Sequence, residues 1–357
     1  MRIGHFEQLR PICPVCVDRT VNFESPLCIQ TVERDDPQHI IEGVLQCSNP
    51  NCMSEFPIID GIPIIHPRLR AYVSDSCFQI YARRELSESC ESILGDCCSQ
   101  GSSLDTMRQQ LSSYVWDHYA DSDPQEVAGD VRPGSVVRLL EQGLASEVGS
   151  IDGPILDAGC GVGRTAFNLA ERTDQLVLGI DIHFAMLRVA ANVLRTGKVR
   201  YARRHIGLVY DHREFPVALQ STERVDFWAC DALALPFANA TFGRCVVINA
   251  LDSVASPYGL LTEIERTTIS RGHVLLACPY DWTTTVTPVE AWIGGHSQRA
   301  PDRGDCGTRL RNLFVADSGS IAGLALEAES QRVPWTVRLH DRCTIKYDVH
   351  VVNLRRK

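Results

Sequence analysis

Apolar positions fall into three regimes along the chain. Up to about residue 68 they come as short β-branched runs such as Ile40-Ile41 and Ile58-Ile59, bounded by turn residues and crowded with Pro and Cys, which predicts a small β-rich unit. From about residue 71 to 123, Ser, Gln and charged residues surround apolar positions at Leu86, Ile93, Leu104, Leu111 and Val115, a helical pattern. Beyond Pro154, apolar strands at residues 155–156, 176–180, 225–229, 245–249 and 274–277 alternate with helical stretches. Such alternation builds a parallel sheet covered by helices, so the fold class is α/β. The divisions this predicts are a β-rich unit over 1–68, a helical linker and lid over 69–149, and an α/β domain over 150–357.

Composition adds exclusions. A chain of 357 residues with 44% hydrophobic and 22% charged residues is neither disordered nor fibrous. A net charge of −9 weighs against nucleic acid as a partner, because a phosphate backbone demands a basic surface. The first ten residues lack the apolar run of a signal peptide, and no stretch approaches the ~18 apolar residues of a membrane span, so a cytoplasmic, membrane-free protein is expected, a homodimer being compatible with the sequence. Arg355-Arg356-Lys357 reads as a solvated tail, and most of the 15 cysteines as buried, inert thiols.

The chemistry concentrates where strands end. Asp157-Ala158-Gly159-Cys160-Gly161-Val162-Gly163 follows a strand and precedes a helix, and glycine there allows a tight turn and close approach of a ligand. The dinucleotide fingerprint would need glycine at position 164, where this chain has Arg164, so a nucleoside without a pyrophosphate is favoured. Asp157, before the turn, suits an amine-bearing ligand. Asp181 ends the next strand and can accept both hydroxyls of a ribose, and Asp231 ends the third and can accept from an exocyclic adenine amine. Asn249 and Asp252 close the fourth. Polar groups are thus delivered to one edge of the sheet, where open α/β sheets bind ligands.

These motifs, D-A-G-C-G-V-G at 157–163, G-I-D-I-H-F-A-M-L at 179–187 and D-A-L-A-L-P-F at 231–237, resemble those of the class I S-adenosylmethionine-dependent methyltransferases, with their Rossmann-like sheet. The resemblance implies that Asp157, Gly159, Gly161 and Gly163 surround the methionine part of the cofactor. By the same resemblance Asp181 holds the ribose, Ile182 and Ala232 flank the adenine, Asp231 bonds its amine, and Asn249 lies beside the sulfonium.

Cys13-Pro14-Val15-Cys16 and Cys47-Ser48-Asn49-Pro50-Asn51-Cys52 form two knuckles with structural zinc spacing. Four thiolates close a tetrahedral shell, so the zinc would be structural, and so small a unit gains from a metal staple. The four-residue gap in the second knuckle is wider than the commoner two, which leaves a relaxed or metal-free ribbon as the alternative. The stretch from Gly43 to Pro63 is similar to the zinc-ribbon family that includes the small activator subunit of RNA and protein methyltransferases, implying an in-cis activator or substrate-side wall.

On the substrate side, P-Y-D-W at 279–282, T-P-V-E-A-W-I-G-G at 287–295, P-W-T-V-R at 334–338 and the insertion around Tyr201 and Tyr210 resemble the methyltransferase domain of ovothiol biosynthesis, which methylates an imidazole nitrogen of a mercaptohistidine. That implies a small amino-acid-like acceptor among Tyr114, Tyr119, Asp252, Tyr280, Trp282 and Arg338. An arginine binds a carboxylate bidentately, and a carboxylate beside the methyl donor orients an amine or takes its proton. Asp252, Tyr119 and His118 are the catalytic candidates; Tyr114, Tyr280, Trp282 and Arg338 the substrate-binding ones. Two other readings stand beside small-molecule N-methylation in natural-product biosynthesis: a protein or RNA methyltransferase whose ribbon docks the macromolecule, and a non-catalytic assembly module.

Overall fold

The computed structural model of the protein describes all residues except 18–23, 84–85, 128, 146–150 and 316–318. Its strands are β1 (Leu27–Asp35), β2 (Ile40–Cys47), β3 (Glu55–Ile59), β4 (Ile62–Ile65), β5 (Ile155–Ala158), β6 (Val177–Asp181), β7 (Lys198–Ile206), β8 (Val209–Pro216), β9 (Val225–Cys230), β10 (Phe242–Ile248), β11 (Thr268–Cys278), β12 (Leu324–His340) and β13 (Cys343–Arg356). Its helices are α1 (Ile3–Leu9), α2 (Leu69–Tyr81), α3 (Glu88–Cys97), α4 (Ser103–Tyr119), α5 (Ser135–Leu144), α6 (Arg164–Ala170), α7 (Phe184–Thr196), α8 (Pro257–Thr267) and α9 (Cys306–Leu313).

Every strand expected beyond Pro154 is present, and each lies in one sheet of order β1-β2-β3-β4-β9-β6-β5-β10-β11-β13-β12. From β4 to β11 the neighbours are parallel, and antiparallel pairs continue the sheet on both sides. This is a Rossmann-like α/β sheet. Successive residues alternate between its two buried faces: Phe227, Val246 and Leu275 pack on the side of α4–α7, while Trp228, Val247 and Leu276 pack with the N-terminal unit and α8. Strands covered on both faces read as unbroken apolar runs, which is why they were visible in the sequence.

The β-rich unit is joined to that sheet by backbone hydrogen bonds. β4 lies parallel to β9 with Ile64 opposite Ala229 and Ile65 opposite Cys230. Arg2, ahead of α1, donates its backbone N–H to Asp226 at 2.8 Å and its Nε to the Val225 carbonyl at 3.0 Å, fixing the same junction. The expected change at 68/69 falls between β4 and α2, whereas the one at 149/150 lies outside the described residues.

Two expectations need correction. Arg355 and Arg356 belong to β13, and Arg356 pairs with Glu265 at 2.9 Å, so they are not a loose tail. Of the 15 cysteines only six are buried, and Cys28, Cys77, Cys90 and Cys97 are exposed. Residues 199–210 form much of a two-stranded hairpin, β7–β8, which α4 packs against through Ser112, whose hydroxyl accepts from the Arg204 amide at 2.8 Å. Among the described residues no helix is long and apolar enough to cross a membrane.

α4 is the element that brings side chains over the sheet edge. Ser102 caps it, accepting from the Asp105 amide at 3.3 Å. Near its other end the buried Asp117 accepts from the Ser135 amide and hydroxyl, both at 2.7 Å, from the Val136 amide at 3.1 Å and from Trp335 Nε1 at 3.1 Å. One carboxylate thereby ties α4 to the start of α5 and to β12. Asp117→Ala would strand several buried donors, so the urea midpoint should fall by the equivalent of about 2–4 kcal/mol, with cofactor-site binding weakened in parallel. An unchanged midpoint would refute the role given to Asp117.

Candidate active site

The turn after β5 has glycines at φ +81° (Gly159), +55° (Gly161) and +89° (Gly163), a region open to glycine at little cost. Two of them also answer to packing. A Cβ on Gly159 would lie 2.7 Å from that of Ala250, and one on Gly163 would lie 2.6 Å from the ring of Phe227. Gly161 is different: a Cβ there meets nothing nearer than Tyr114 at 3.8 Å and His118 at 3.9 Å. The middle glycine therefore leaves a methyl-sized gap between the turn and α4.

The expected acids stand at the strand ends on the same edge of the sheet. Asp181 Oδ2 accepts from the Gly161 amide at 2.9 Å and Oδ1 from the His183 amide at 2.8 Å, leaving each oxygen a further lone pair for a ligand. Asp231 uses Oδ1 for the Leu233 amide at 2.9 Å. Ile182, next to Asp181, is 45% exposed, an apolar surface with no covering; Ala232 is partly buried. Asp157 is fully enclosed and accepts from the Thr165 hydroxyl at 2.5 Å. Burial pushes its carboxyl up to about 7, against that hydrogen bond, with the Asp181 carboxylate adding to the rise.

Asn249 sits at the tip of β10 with φ +53°, a conformation non-glycine residues seldom adopt. Its Nδ2 and Oδ1 are buried, with no hydrogen-bond partner among the described residues. A buried amide without partners is costly, and a polar ligand at the strand tips would relieve it.

Beyond Asn249 lie two acids and aromatic rings. Asp252 is buried and accepts from the Asp281 amide at 2.7 Å, while Asp281 accepts from the Tyr347 hydroxyl at 2.8 Å. Burial raises the Asp252 carboxyl, and the Asp281 charge adds to this. Tyr114, 37% exposed, leans over the same region: desolvation of its phenol, then the Asp181 and Asp252 carboxylates, push it up to about 12. Asp281 and Tyr347 carry no site motif in the sequence. Asp281 lay within a stretch that drew attention for its aromatics, and Tyr347 sits on a hairpin strand whose pattern gave no site signal.

Other expected residues are placed elsewhere. Tyr119 is fully buried and its hydroxyl donates to the Val162 carbonyl at 2.7 Å, so it braces the glycine turn and does not face the gap. Arg338 is 4% exposed and its Nη2 donates to the Arg204 carbonyl at 2.7 Å and pairs with Asp341, joining β12 to β7, while its buried Nη1 has no hydrogen-bond partner among the described residues. The Tyr280 hydroxyl bonds His350 Nδ1 at 2.7 Å, and Trp282 stacks on Trp292 at 6.1 Å. Both rings pack with the sheet face opposite α4. His118 does border the gap. Burial lowers it to about 3, with Arg164 contributing, so it is neutral, and its Nδ1 accepts from the Arg164 amide at 3.4 Å.

In the N-terminal unit the sulfurs of Cys13, Cys16, Cys47 and Cys52 all lie within 4.8 Å of one another. Cys16 and Cys47 are 3.5 Å apart and Cys13 and Cys52 3.8 Å, close to the roughly 3.8 Å edge of a tetrahedron with ~2.3 Å metal–sulfur bonds. The wide second gap closes because the Asn49 carbonyl accepts from the Cys52 and Met53 amides, each at 3.0 Å, and Met53 turns back at φ +48°. The donor set fits zinc.

Residues 156–276 match the family model of a methyltransferase domain. The match covers about a third of the chain. An O-methyltransferase of Pyrenophora dematioidea is 29% identical over 112 residues, 31% of this chain and 34% of that protein. The methyltransferase GfsG of Streptomyces halstedii is 25% identical over 162 residues, 45% of this chain and 48% of its own length. The chain thus spans about a third to a half of the curated relatives it matches. Among solved structures, the [4+2]-cyclase SpnF superposes with TM-score 0.44 at 14% identity, covering 70% of this chain and 94% of that one. A Haemonchus contortus phosphoethanolamine N-methyltransferase 2 in complex with S-adenosyl-L-methionine gives 0.35 at 17% identity, covering 50% and 34%.

Two outcomes test the geometry of this methyltransferase domain. Gly161→Ala should cost the fold only about 1–2 kcal/mol for its left-handed backbone, yet weaken S-adenosylhomocysteine binding more than tenfold by filling the gap, as calorimetry would register. Affinity for that amine-bearing ligand should also climb between pH 6 and 8, because Asp157 is neutral below about 7 and anionic above it. The free carboxyl ionises near 4, so what this group lends to stability is complete below that pH and is lost as pH rises through about 7. In Asp157→Asn the rise in affinity should flatten; a wild-type profile that is already flat would remove Asp157 from the site.

Proposed function

We propose that the protein transfers a methyl group from S-adenosylmethionine to a nitrogen of a small, amino-acid-like metabolite. The supporting observation is the convergence of Gly161, Asp181, Asp231 and the unpartnered Asn249 amide on one sheet edge beneath Tyr114 and His118. When bound, the cofactor supplies a methyl group already activated on a sulfonium. Asp181 would take the ribose hydroxyls, Ile182 and Ala232 the adenine faces, Asp231 the adenine amine, Asp157 the ammonium, and Asn249 the polar groups of the methionine part.

The acceptor would lie at the acidic, aromatic end. Tyr114 and Tyr347 give two rings against which a planar acceptor can pack and exclude water. Asp252 and Asp281 accept from an N–H, which turns the nitrogen lone pair toward the methyl group, and the raised Asp252 carboxyl is suited to take the proton released. His118, with Nδ1 engaged by Arg164, presents Nε2–H to the gap as a hydrogen-bond donor and not as a base. Displacement at a methyl group needs line and distance more than a nucleophilic side chain, and such positioning is worth up to ~7–11 kcal/mol. The four cysteines would hold one zinc with no open position, a structural role.

Incubation with S-adenosylmethionine and a panel of amino acids, imidazoles, amines and phenols should release S-adenosylhomocysteine with a nitrogen acceptor, and Asp252→Asn should lower kcat at least tenfold. Turnover confined to hydroxyl acceptors, the chemistry named for the Pyrenophora relative, would overturn the nitrogen assignment. Metal analysis should find one zinc per chain, and Cys13→Ser should lose it together with thermal stability. A zinc content near zero would retire the metal site.

A further inference from the structure

The sheet edge that gathers Asp181, Asp231 and Asn249 does not stop at β9. Ile65 at the end of β4 is paired in parallel with Cys230 at the end of β9, so the next residue of each strand, His66 and Asp231, leave the sheet side by side. His66 is only 6% exposed. Its Nδ1 accepts from the Arg68 amide at 3.0 Å, which places the proton of the neutral ring on Nε2. That nitrogen lies 3.6 Å from Asp231 Oδ2, the oxygen left over when the Leu233 amide takes Oδ1. Burial favours the neutral ring, the Asp231 charge opposing it only in part.

The ring is held from its other side. His66 stacks on Tyr72 with centroids 5.1 Å apart and planes 20° from parallel, and the Tyr72 hydroxyl donates to the Ile182 carbonyl at 2.9 Å. One short segment leading out of the N-terminal unit therefore touches the tips of both β6 and β9. The adenine subsite lies between those tips.

We propose that His66 is a positioning residue for adenine recognition: its Nε2–H edge faces the Asp231 carboxylate at 3.6 Å and biases Oδ2 toward the exocyclic amine, while Tyr72 clamps the ring against the Ile182 turn. The N-terminal unit is then a working part of the cofactor site, in addition to any stapling or docking it performs. This rests on the cofactor reading given above, and the two fail differently.

The test compares binding of S-adenosylhomocysteine with S-inosylhomocysteine, which carries an oxo group in place of the amine, by calorimetry on the full chain. Wild type should prefer the adenosyl compound. His66→Ala should lose about three- to tenfold in affinity for it, the size expected for a polar contact with a partly buried charge, and change little toward the inosyl compound, so that the preference collapses. His66→Phe keeps the stack on Tyr72 without the N–H and should behave alike, which covers the case of an alanine variant that does not fold. His66→Gln, which retains a donor, should keep most of the preference. Equal weakening toward both compounds, or no weakening, would overturn the proposal by reducing His66 to a packing residue. Wild type that binds neither compound would remove the cofactor reading itself, and this proposal with it.

Discussion

The molecule depends on the hydrogen-bonded register of parallel strands that runs from β4 through β9, β6, β5 and β10 to β11. Because the strands point the same way, their carboxyl ends fall on one edge, and three of them, β6, β9 and β10, end at or just before a polar residue there: Asp181, Asp231 and Asn249. A slip of one residue in any pair would send core side chains outward and withdraw the polar tip from the edge. Two-sided burial of Val246, Leu178 and their neighbours is what forbids that slip. The outer antiparallel strands, β1–β3 on one side and β12–β13 on the other, shield the parallel core from being an edge.

A sheet edge alone is an open shelf. α4 closes it from above, and its seat is polar: the Asp117 carboxylate under the start of α5 and beside Trp335, and Tyr119 under the Val162 carbonyl. These buried hydrogen bonds hold Tyr114 and His118 over Gly161. The arrangement explains why two residues adjacent to candidate site residues, Asp117 and Tyr119, serve the fold and not the ligand. It also separates the glycines. Gly159 and Gly163 let the turn pack, and Gly161 leaves the room that packing would otherwise fill.

What could be seen in the sequence was what burial and strand ends impose. The apolar runs gave the sheet, the glycine turn gave the site, and Asp181 and Asp231 followed from their places after strands. The four cysteines were legible because their spacing is a local property. What escaped depended on long-range placement. β12 and β13 alternate polar and apolar residues along a twisted hairpin, so the Tyr347 hydroxyl on Asp281 left no local signal. Arg338 looked like a substrate ligand because an arginine near aromatics is equally a substrate ligand or a brace. Asp341 and the Arg204 carbonyl show the brace through Nη2, and Nη1 stays unpartnered among the described residues. His66 was one residue past a short strand, and its meaning appears only when β4 is paired with β9.

The central claim is that these strand tips hold an adenosyl ligand. Calorimetric titration of the purified full chain with S-adenosylhomocysteine measures it most directly. One site per chain is predicted for wild type, with Asp181→Ala folded but weakened at least tenfold. A well-folded wild type that shows no heat of binding, or an Asp181→Ala variant that binds as tightly as wild type, would contradict the account.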